Sequence, residues 1–460
     1  MRRASASRRR AIGLLSAFAV LPALAQDPRV VDPAPPAAPT AASAGASAAP
    51  PVLSSTAEAV YLAARPRVVQ LRTLVAAAGR QSSIGSGFLV SADGMALTNY
   101  HVVSQFALEP TTYKLEYVAP DGTRGDVALL AIDVVNDLAA VRIQRRGDAF
   151  LQLDPRAVGG TLPQGERLFA LGNPLDLGFT IVEGTYNGYV DRSFSPQVHF
   201  SGALNPGMSG GPTLTSEGRV AGVNVAKRLG GELVSFLVPA SAAAVLIDKA
   251  RNGTPLTTDG ARAEISRQLQ AFQASLSRAF ADAGFKPGRY GAYTAPESQA
   301  PWVQCWAQTN ADAQPKPRAR VHTTQCHTRT SLFVADDLRS GGVGLSYSYV
   351  ESVSLNPFQF AAFLSQQLRP LSQDPASRRR VTTQRCHADF VAPADPPVLR
   401  ATFCARAYRD FEGLYDVSVV AVTQDDDERA LIARLTLSGV AWDNATAFAR
   451  RFVTAIGRAP

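Results

Sequence analysis

No cysteine occurs before Cys305, and the whole chain of 460 residues has only four. The first two thirds must therefore fold without cystine staples, which excludes a small disulfide framework there. Histidine is scarce as well, five in all, so candidates for a general base are few. No apolar run beyond residue 25 approaches the roughly 20 residues that a membrane-spanning helix needs. Excess charge is also missing. The formal net charge is +8, but Arg2, Arg3, Arg8, Arg9 and Arg10 supply five of the positive charges. Residues 1–25 contain no acid, and without them the balance falls to +3. That gives no electrostatic case for a nucleic-acid partner. We find no phosphate loop, metal-ligand spacing or basic aromatic groove, so no cofactor and no metal is expected.

The N-terminus has the layout of a cleaved export signal. A basic stretch ends at Arg10, the apolar run Ala11–Leu21 follows, and Ala23-Leu24-Ala25 supplies a small-x-small cleavage pattern. Residues 1–25 are expected to be a signal peptide, which places the mature chain in the periplasm or outside the cell with no stable membrane span. Residues 26–55 are rich in Pro, Ala and Ser and lack hydrophobic periodicity, so they are expected to be a disordered linker.

From residue 56 to 253 the chain reads as many short strands. Apolar runs such as Val68–Arg72, Gly87–Val90, Val127–Ile132, Ala139–Ile143 and Val220–Val225 alternate with turns at Asp93-Gly94, Asp121-Gly122 and Asn173-Pro174. This predicts an all-β sandwich or barrel, closed by a helix over Ala240–Arg251 that stops at Asn252-Gly253. Residues 254–460 change to an α+β pattern. A helical stripe runs through Ile265, Leu269, Phe272, Leu276 and Phe280. Beyond it, Thr-Thr-Gln-Cys326-His327 and Thr-Thr-Gln-Arg-Cys386-His387 head two similar stretches, each with strands and then a helix (Asn356–Phe363, Asn444–Phe452). A two-fold repeat and chance resemblance are both open. Cysteine–histidine neighbours invite a metal reading, but zinc sites use close Cys pairs. Cys305 and Cys326 are 21 residues apart, Cys386 and Cys404 are 18. Of the three possible pairings we expect Cys305–Cys326 and Cys386–Cys404.

Amide hydrolysis by a serine needs a base for the hydroxyl proton, a carboxylate that fixes the base's tautomer, and donors for the oxyanion. The β-rich region holds only His101 and His199. His101 follows a predicted strand in Leu97-Thr98-Asn99-Tyr100-His101-Val102-Val103. Ser209 stands between glycines in Asn205-Pro206-Gly207-Met208-Ser209-Gly210-Gly211, where a tight turn can aim the Gly207 and Ser209 N–H groups at an oxyanion. Of the aspartates between them, Asp137 alone opens a buried-looking strand. His101 as base, Asp137 as its orienter and Ser209 as nucleophile form the candidate triad.

Four segments resemble HtrA-type proteases of the trypsin superfamily: Gly85–Val103 around His101, Asp137–Ile143, Leu171-Gly172-Asn173-Pro174 with Val182–Thr185, and Asn205–Pro212 with Gly222-Val223-Asn224. The resemblance covers about residues 60–250. It implies a double β-barrel and an ATP-independent endopeptidase for unfolded or damaged envelope polypeptides, often trimeric. It also places Ala203 at the base of the S1 pocket, which implies a preference for small or medium aliphatic P1 residues. Two features depart from the family. Met208 stands where the family usually has Asn, and no Gly-Leu-Gly-Phe loop of a PDZ domain occurs in residues 254–460, so the oligomer and PDZ-driven capture do not carry over. Two rival readings stay open: a catalytically inactive scaffold that binds polypeptides, which Met208 favours, and an envelope-binding C-terminal module whose protease processes its own chain.

Overall fold

The computed structural model describes residues 55–145, 149–225, 234–368, 378–391 and 397–460. The expected signal peptide, and the expected linker apart from Ser55, lie outside the described residues. Ser55 itself opens helix α1 (Ser55–Ala64).

Alternating and apolar runs close into two barrels. The first holds β1 (Val68–Val75), β2 (Arg80–Leu89), β3 (Met95–Thr98), β4 (Tyr113–Val118), β5 (Arg124–Asp133) and β6 (Leu138–Ile143), in the order β1-β2-β3-β6-β5-β4. Helix α2 (Tyr100–Leu108) leaves the end of β3. The second barrel holds β7 (Arg167–Gly172), β8 (Thr180–Tyr189), β9 (Val198–Phe200), β10 (Pro212–Leu214), β11 (Val220–Val225) and β12 (Ser235–Pro239), preceded by the single turn α3 (Pro155–Val158). Its order, β7-β8-β9-β12-β11-β10, repeats that of the first. Closure leaves neither barrel an unpaired edge. Val68, Phe88, Leu97 and Ala140 of the first barrel join Phe169, Leu171, Val223 and Val238 of the second in one core, so the seam between the barrels is apolar. α4 (Ala240–Ala250) adds Ala243 and Leu246 to that seam.

The break in character at residue 254 is not a break in the core. α5 (Thr258–Ala283) lays Ile265, Leu269, Phe272, Leu276 and Phe280 into the cluster that holds Tyr100, Val103 and Ile132 of the first barrel. Fully burying five such side chains is worth about 1.5–3 kcal/mol each before entropy is counted. After α5 come β13 (Phe285–Tyr290), β14 (Tyr293–Ser298), β15 (Val303–Thr309) and β16 (Ala319–Thr328). The hairpin β17 (Leu332–Ala335) with β18 (Leu338–Ser340) follows, then β19 (Val343–Ser352) and α6 (Pro357–Gln367). The last elements are β20 (Arg385–Val391), β21 (Leu399–Ala407), β22 (Leu414–Thr423), β23 (Arg429–Ala441), α7 (Trp442–Thr454) and β24 (Gly457–Arg458).

Seven of these strands form one antiparallel sheet, β15-β16-β19-β23-β22-β21-β20. Each outer hairpin carries a cystine across directly paired positions, Cys305–Cys326 at one edge and Cys386–Cys404 at the other. The two halves thus run inward in the same order, with β23 between them. Their helices part company. α7 buries Ala445 and Phe452 against Tyr347, Val419 and Leu435, whereas α6 buries Phe360 and Leu364 against Val350, Val420 and Ile432. Neighbouring strand residues point to opposite faces, so the two helices cover opposite sides of the sheet. No helix of the described residues is long and apolar enough to cross a membrane.

Candidate active site

β3 ends at Thr98 and α2 begins at Tyr100, which makes His101 the second residue of a helix. Asp137 meets it from the turn into β6, held in the left-handed region at φ 55°. Aspartate tolerates that region better than most residues, and strain of this kind persists where the surroundings fix it. Here the grip is fourfold. Asp137 Oδ2 lies 2.7 Å from His101 Nδ1, and Oδ1 accepts the His101 N–H at 2.9 Å. The Asp137 carbonyl accepts from the Tyr100 N–H at 3.1 Å and from Asn99 Nδ2 at 2.8 Å. A carboxylate at Nδ1 selects the tautomer with its proton there, which leaves the Nε2 lone pair free to act as a base. His199, the other histidine of the region, sits in β9 opposite Phe236.

The serine turn is pinned to the first barrel. The Ser86 N–H donates to the Ser209 carbonyl at 2.7 Å, and the Ser86 hydroxyl donates to the Gly207 carbonyl at 2.7 Å. That hydroxyl also accepts from the Asn173 N–H at 3.0 Å, which ties in the Gly-Asn-Pro loop. Gly207 and Gly210 adopt φ 97° and 82°. A Cβ on Gly210 would stand 2.3 Å from both the Ser86 carbonyl oxygen and the Thr98 hydroxyl, so only glycine fits this close approach. Asn224 Nδ2 completes the clamp by donating to the Leu171 carbonyl at 2.9 Å and the Met208 carbonyl at 3.3 Å. Ser209 is 3% exposed at the bottom of this turn.

Met208 is fully buried in the second barrel beside Ala170, Phe200 and Leu237. Its side chain anchors the turn by packing. Ala203 is exposed, between Gly202 and Leu204, both of which bond to the Ser235 hydroxyl. It does not line the cavity beside His101.

That cavity, about 540 Å³, was not legible in the sequence. His101 and Asp137 form one wall, Val225 and Phe236 of the second barrel another, and Leu332 and Phe333 of the β17–β18 hairpin a third. The residues after the barrels also hold the site in place. Gln268 of α5 accepts from the Val134 N–H at 2.7 Å and donates to the Ile132 carbonyl at 2.8 Å, which fixes the loop that carries Asp137. The Tyr100 hydroxyl, buried and with its pKa pushed well up by burial and by the nearby Asp137 charge, donates to the Val334 carbonyl at 2.8 Å. Among the described residues no group of three or more His, Cys, Asp or Glu side chains converges as a metal site requires.

Comparison with known proteins bears on the barrels. Residues 85–223 match the family model of the trypsin-like peptidase domain. The two closed six-stranded barrels fit a trypsin-like double barrel. HhoB of Synechocystis sp. is 34% identical over 169 residues, which is 35% of this chain and 38% of its own length. A Marinomonas protein named "Probable periplasmic serine endoprotease DegP-like" is 32% identical over 216 residues, 44% of this chain and 42% of its own. The chain thus spans about two fifths of the relatives it matches. A solved serine endoprotease from Yersinia pestis shares 23% identity, with 44% of this chain and 68% of that one covered at a TM-score of 0.38. On the sequence comparisons this chain is similar in part to proteins named as HhoB and DegP-like serine proteases, and the seven-stranded sheet lies beyond the residues that the family model matches.

Proposed function

We propose that the chain is a serine endopeptidase that cleaves unfolded or damaged polypeptides in the periplasm. The 2.7 Å contact between His101 Nδ1 and Asp137 Oδ2, in a fold whose Ser209 turn is pinned to β2 of the same barrel, carries this reading. The Ser209 hydroxyl attacks the substrate carbonyl carbon while its proton passes to His101 Nε2. The carbonyl oxygen becomes an oxyanion, held by the Gly207 and Ser209 N–H groups. As the tetrahedral intermediate collapses, the C–N bond breaks, His101 returns the proton to the departing amine, and an acyl-enzyme remains. Water then attacks the acyl carbon with His101 again as base, and the acid product leaves Ser209 protonated. Asp137 stabilises the imidazolium in both steps and keeps its own charge.

Relatives named as periplasmic endoproteases and the N-terminal export signal support the location and the substrate class. The family resemblance alone puts the small side chain of Ala203 at the base of the S1 pocket, and on that ground the preferred P1 residues are small or medium aliphatic; Ala203 itself is exposed and outside the cavity beside His101. The test is digestion of denatured casein by the mature protein beside Ser209→Ala. Cleavage that disappears in the variant, at sites rich in Ala, Val or Leu, is the expected result. No cleavage by either protein sinks the proposal.

A further inference from the structure

The β17–β18 hairpin is inserted in sequence between two strands of the C-terminal sheet, and the residues at its base line the cavity beside His101. The Phe333 ring stands edge-on to the His101 ring, with centroids 5.9 Å apart and planes at 68°. The Arg339 guanidinium lies over the same Phe333 ring, 4.8 Å from its centroid. Such a contact orients a guanidinium without neutralising it. Arg329, on the strand connection just before the hairpin, lines the same cavity. Both arginines are exposed, and neither has a carboxylate within salt-bridge distance among the described residues. The carboxylate in the cavity wall, Asp137, is committed to His101 through both oxygens. The cavity thus presents two guanidinium groups in the same lining as an aromatic ring that adjoins the proposed base.

We infer that the C-terminal hairpin supplies a substrate subsite for an acidic side chain close to the scissile bond. This deepens the endopeptidase reading and rests on it. An extended peptide advances about 3.3–3.6 Å per residue. A side chain that reaches Phe333 and Arg339 therefore belongs to a residue within about three positions of the bond cleaved. A carboxylate suits the site because planar guanidinium groups bind it through paired hydrogen bonds. The Phe333 ring covers the methylene part of the same side chain. The opposite wall of the cavity is held by the same C-terminal residues: Phe194 packs on Phe272 of α5 and on Trp302, which fixes the loop whose Ser195–Gln197 stretch faces the hairpin. The C-terminal region is then part of the substrate cleft, in addition to whatever else it does.

The probe is a set of fluorescein-labelled decapeptides with a central Ala-Ala pair, in which Asp, Ala or Lys occupies each of the three positions on either side in turn. Binding is read by anisotropy on full-length Ser209→Ala protein, so turnover is not needed. Asp at one position is expected to bind about tenfold tighter than Ala at low salt, the size of one or two charge-assisted hydrogen bonds. Adding Arg329→Ala and Arg339→Ala should erase that preference, and Arg329→Glu with Arg339→Glu should turn it toward Lys. Equal binding of Asp and Ala peptides overturns the inference. So does an Asp preference that survives loss of both arginines. Casein cleavage by the Ser209 protein is scored separately. An arginine-dependent Asp preference without cleavage removes the peptidase reading and keeps the subsite; cleavage without that preference does the reverse.

Discussion

The Ser86 hydroxyl joins the two barrels at the candidate oxyanion site, donating to the Gly207 carbonyl at 2.7 Å. One side chain thereby fixes the orientation of a peptide unit beside Ser209 and satisfies the Asn173 N–H at 3.0 Å. Ser86→Ala removes both bonds and leaves a buried N–H without a partner, a cost of about 1–3 kcal/mol. The Gly207–Met208 peptide unit is then free to rotate, which loosens the turn that carries the Gly207 and Ser209 N–H groups. We expect kcat on a peptide substrate to fall about tenfold to a hundredfold, less than deletion of an oxyanion donor itself, with KM nearly unchanged. A variant that only loses thermal stability, at full kcat, would reduce Ser86 to a structural tie.

Asp137 holds His101 through a side chain and a backbone bond at once. Asp137→Asn keeps an acceptor for the His101 N–H but offers the ring an amide in place of a carboxylate. The favoured tautomer is then the wrong one, with its lone pair turned away from Ser209. A drop in kcat on the order of 10⁴ is expected, with the thermal midpoint little moved. Activity within tenfold of wild type would mean that another group orients the base.

His101, Asp137 and Ser209 stand out as candidates in the sequence because each sits in a local motif whose neighbours do the positioning: Asn99 and Tyr100 grip Asp137, and Gly210 fits under Ser86. The helical stripe from Ile265 to Phe280 was legible for a similar reason, since its period needs no partner to be seen. What it covers was not legible. Gln268 lies inside that helix and looks like a solvated side chain, yet it is buried and clamps the Asp137 loop. Leu332-Phe333-Val334 reads as an ordinary hairpin strand, and nothing local indicates that Phe333 will meet a histidine more than 200 positions earlier. Met208 favoured an inactive scaffold in the sequence; in the fold it is a core residue of the second barrel, a packing role that the sequence did not indicate.

The hairpin is held to the peptidase domain by charge as well as by packing. Arg380, 7% exposed, bonds to Glu109 at the end of α2 and to Asp410 at 2.9 Å, and lies 3.4 Å from Asp337 in the hairpin turn. Burial pushes its pKa down, but Asp410, Glu109 and Asp337 outweigh that and hold the guanidinium charged. Arg380→Ala leaves three partly buried carboxylates facing one another. A loss of about 3 kcal/mol is expected, at the low end for a broken buried pair because the acids keep some access to water. Urea unfolding measures it, and hydrogen exchange across residues 332–340 should speed up before the barrels open. Unchanged exchange in the hairpin would show that apolar packing alone docks it.

Glu264 gives the pH dependence a definite sign. Burial pushes its carboxyl up, but hydrogen bonds from Arg267, Lys249 and Gln268 outweigh burial and bring it from an ordinary 4.5 to about 2. A carboxyl depressed in the folded state stabilises the fold above its unfolded pKa, and that contribution fades as pH falls from about 4.5 through about 2. Lys249 is on α4 and Gln268 reaches the Asp137 loop, so protonation loosens the α4–α5 contact and the clamp on that loop together. Glu264→Gln mimics the protonated state at every pH. It should cost about 1–2 kcal/mol at neutral pH, after allowance for partial exposure of the site, and flatten the stability curve between pH 4.5 and 2. Urea midpoints from pH 7 down to pH 2.5 for both proteins decide the matter. Parallel curves for wild type and variant would place the acid sensitivity in other carboxylates and leave Glu264 a surface charge.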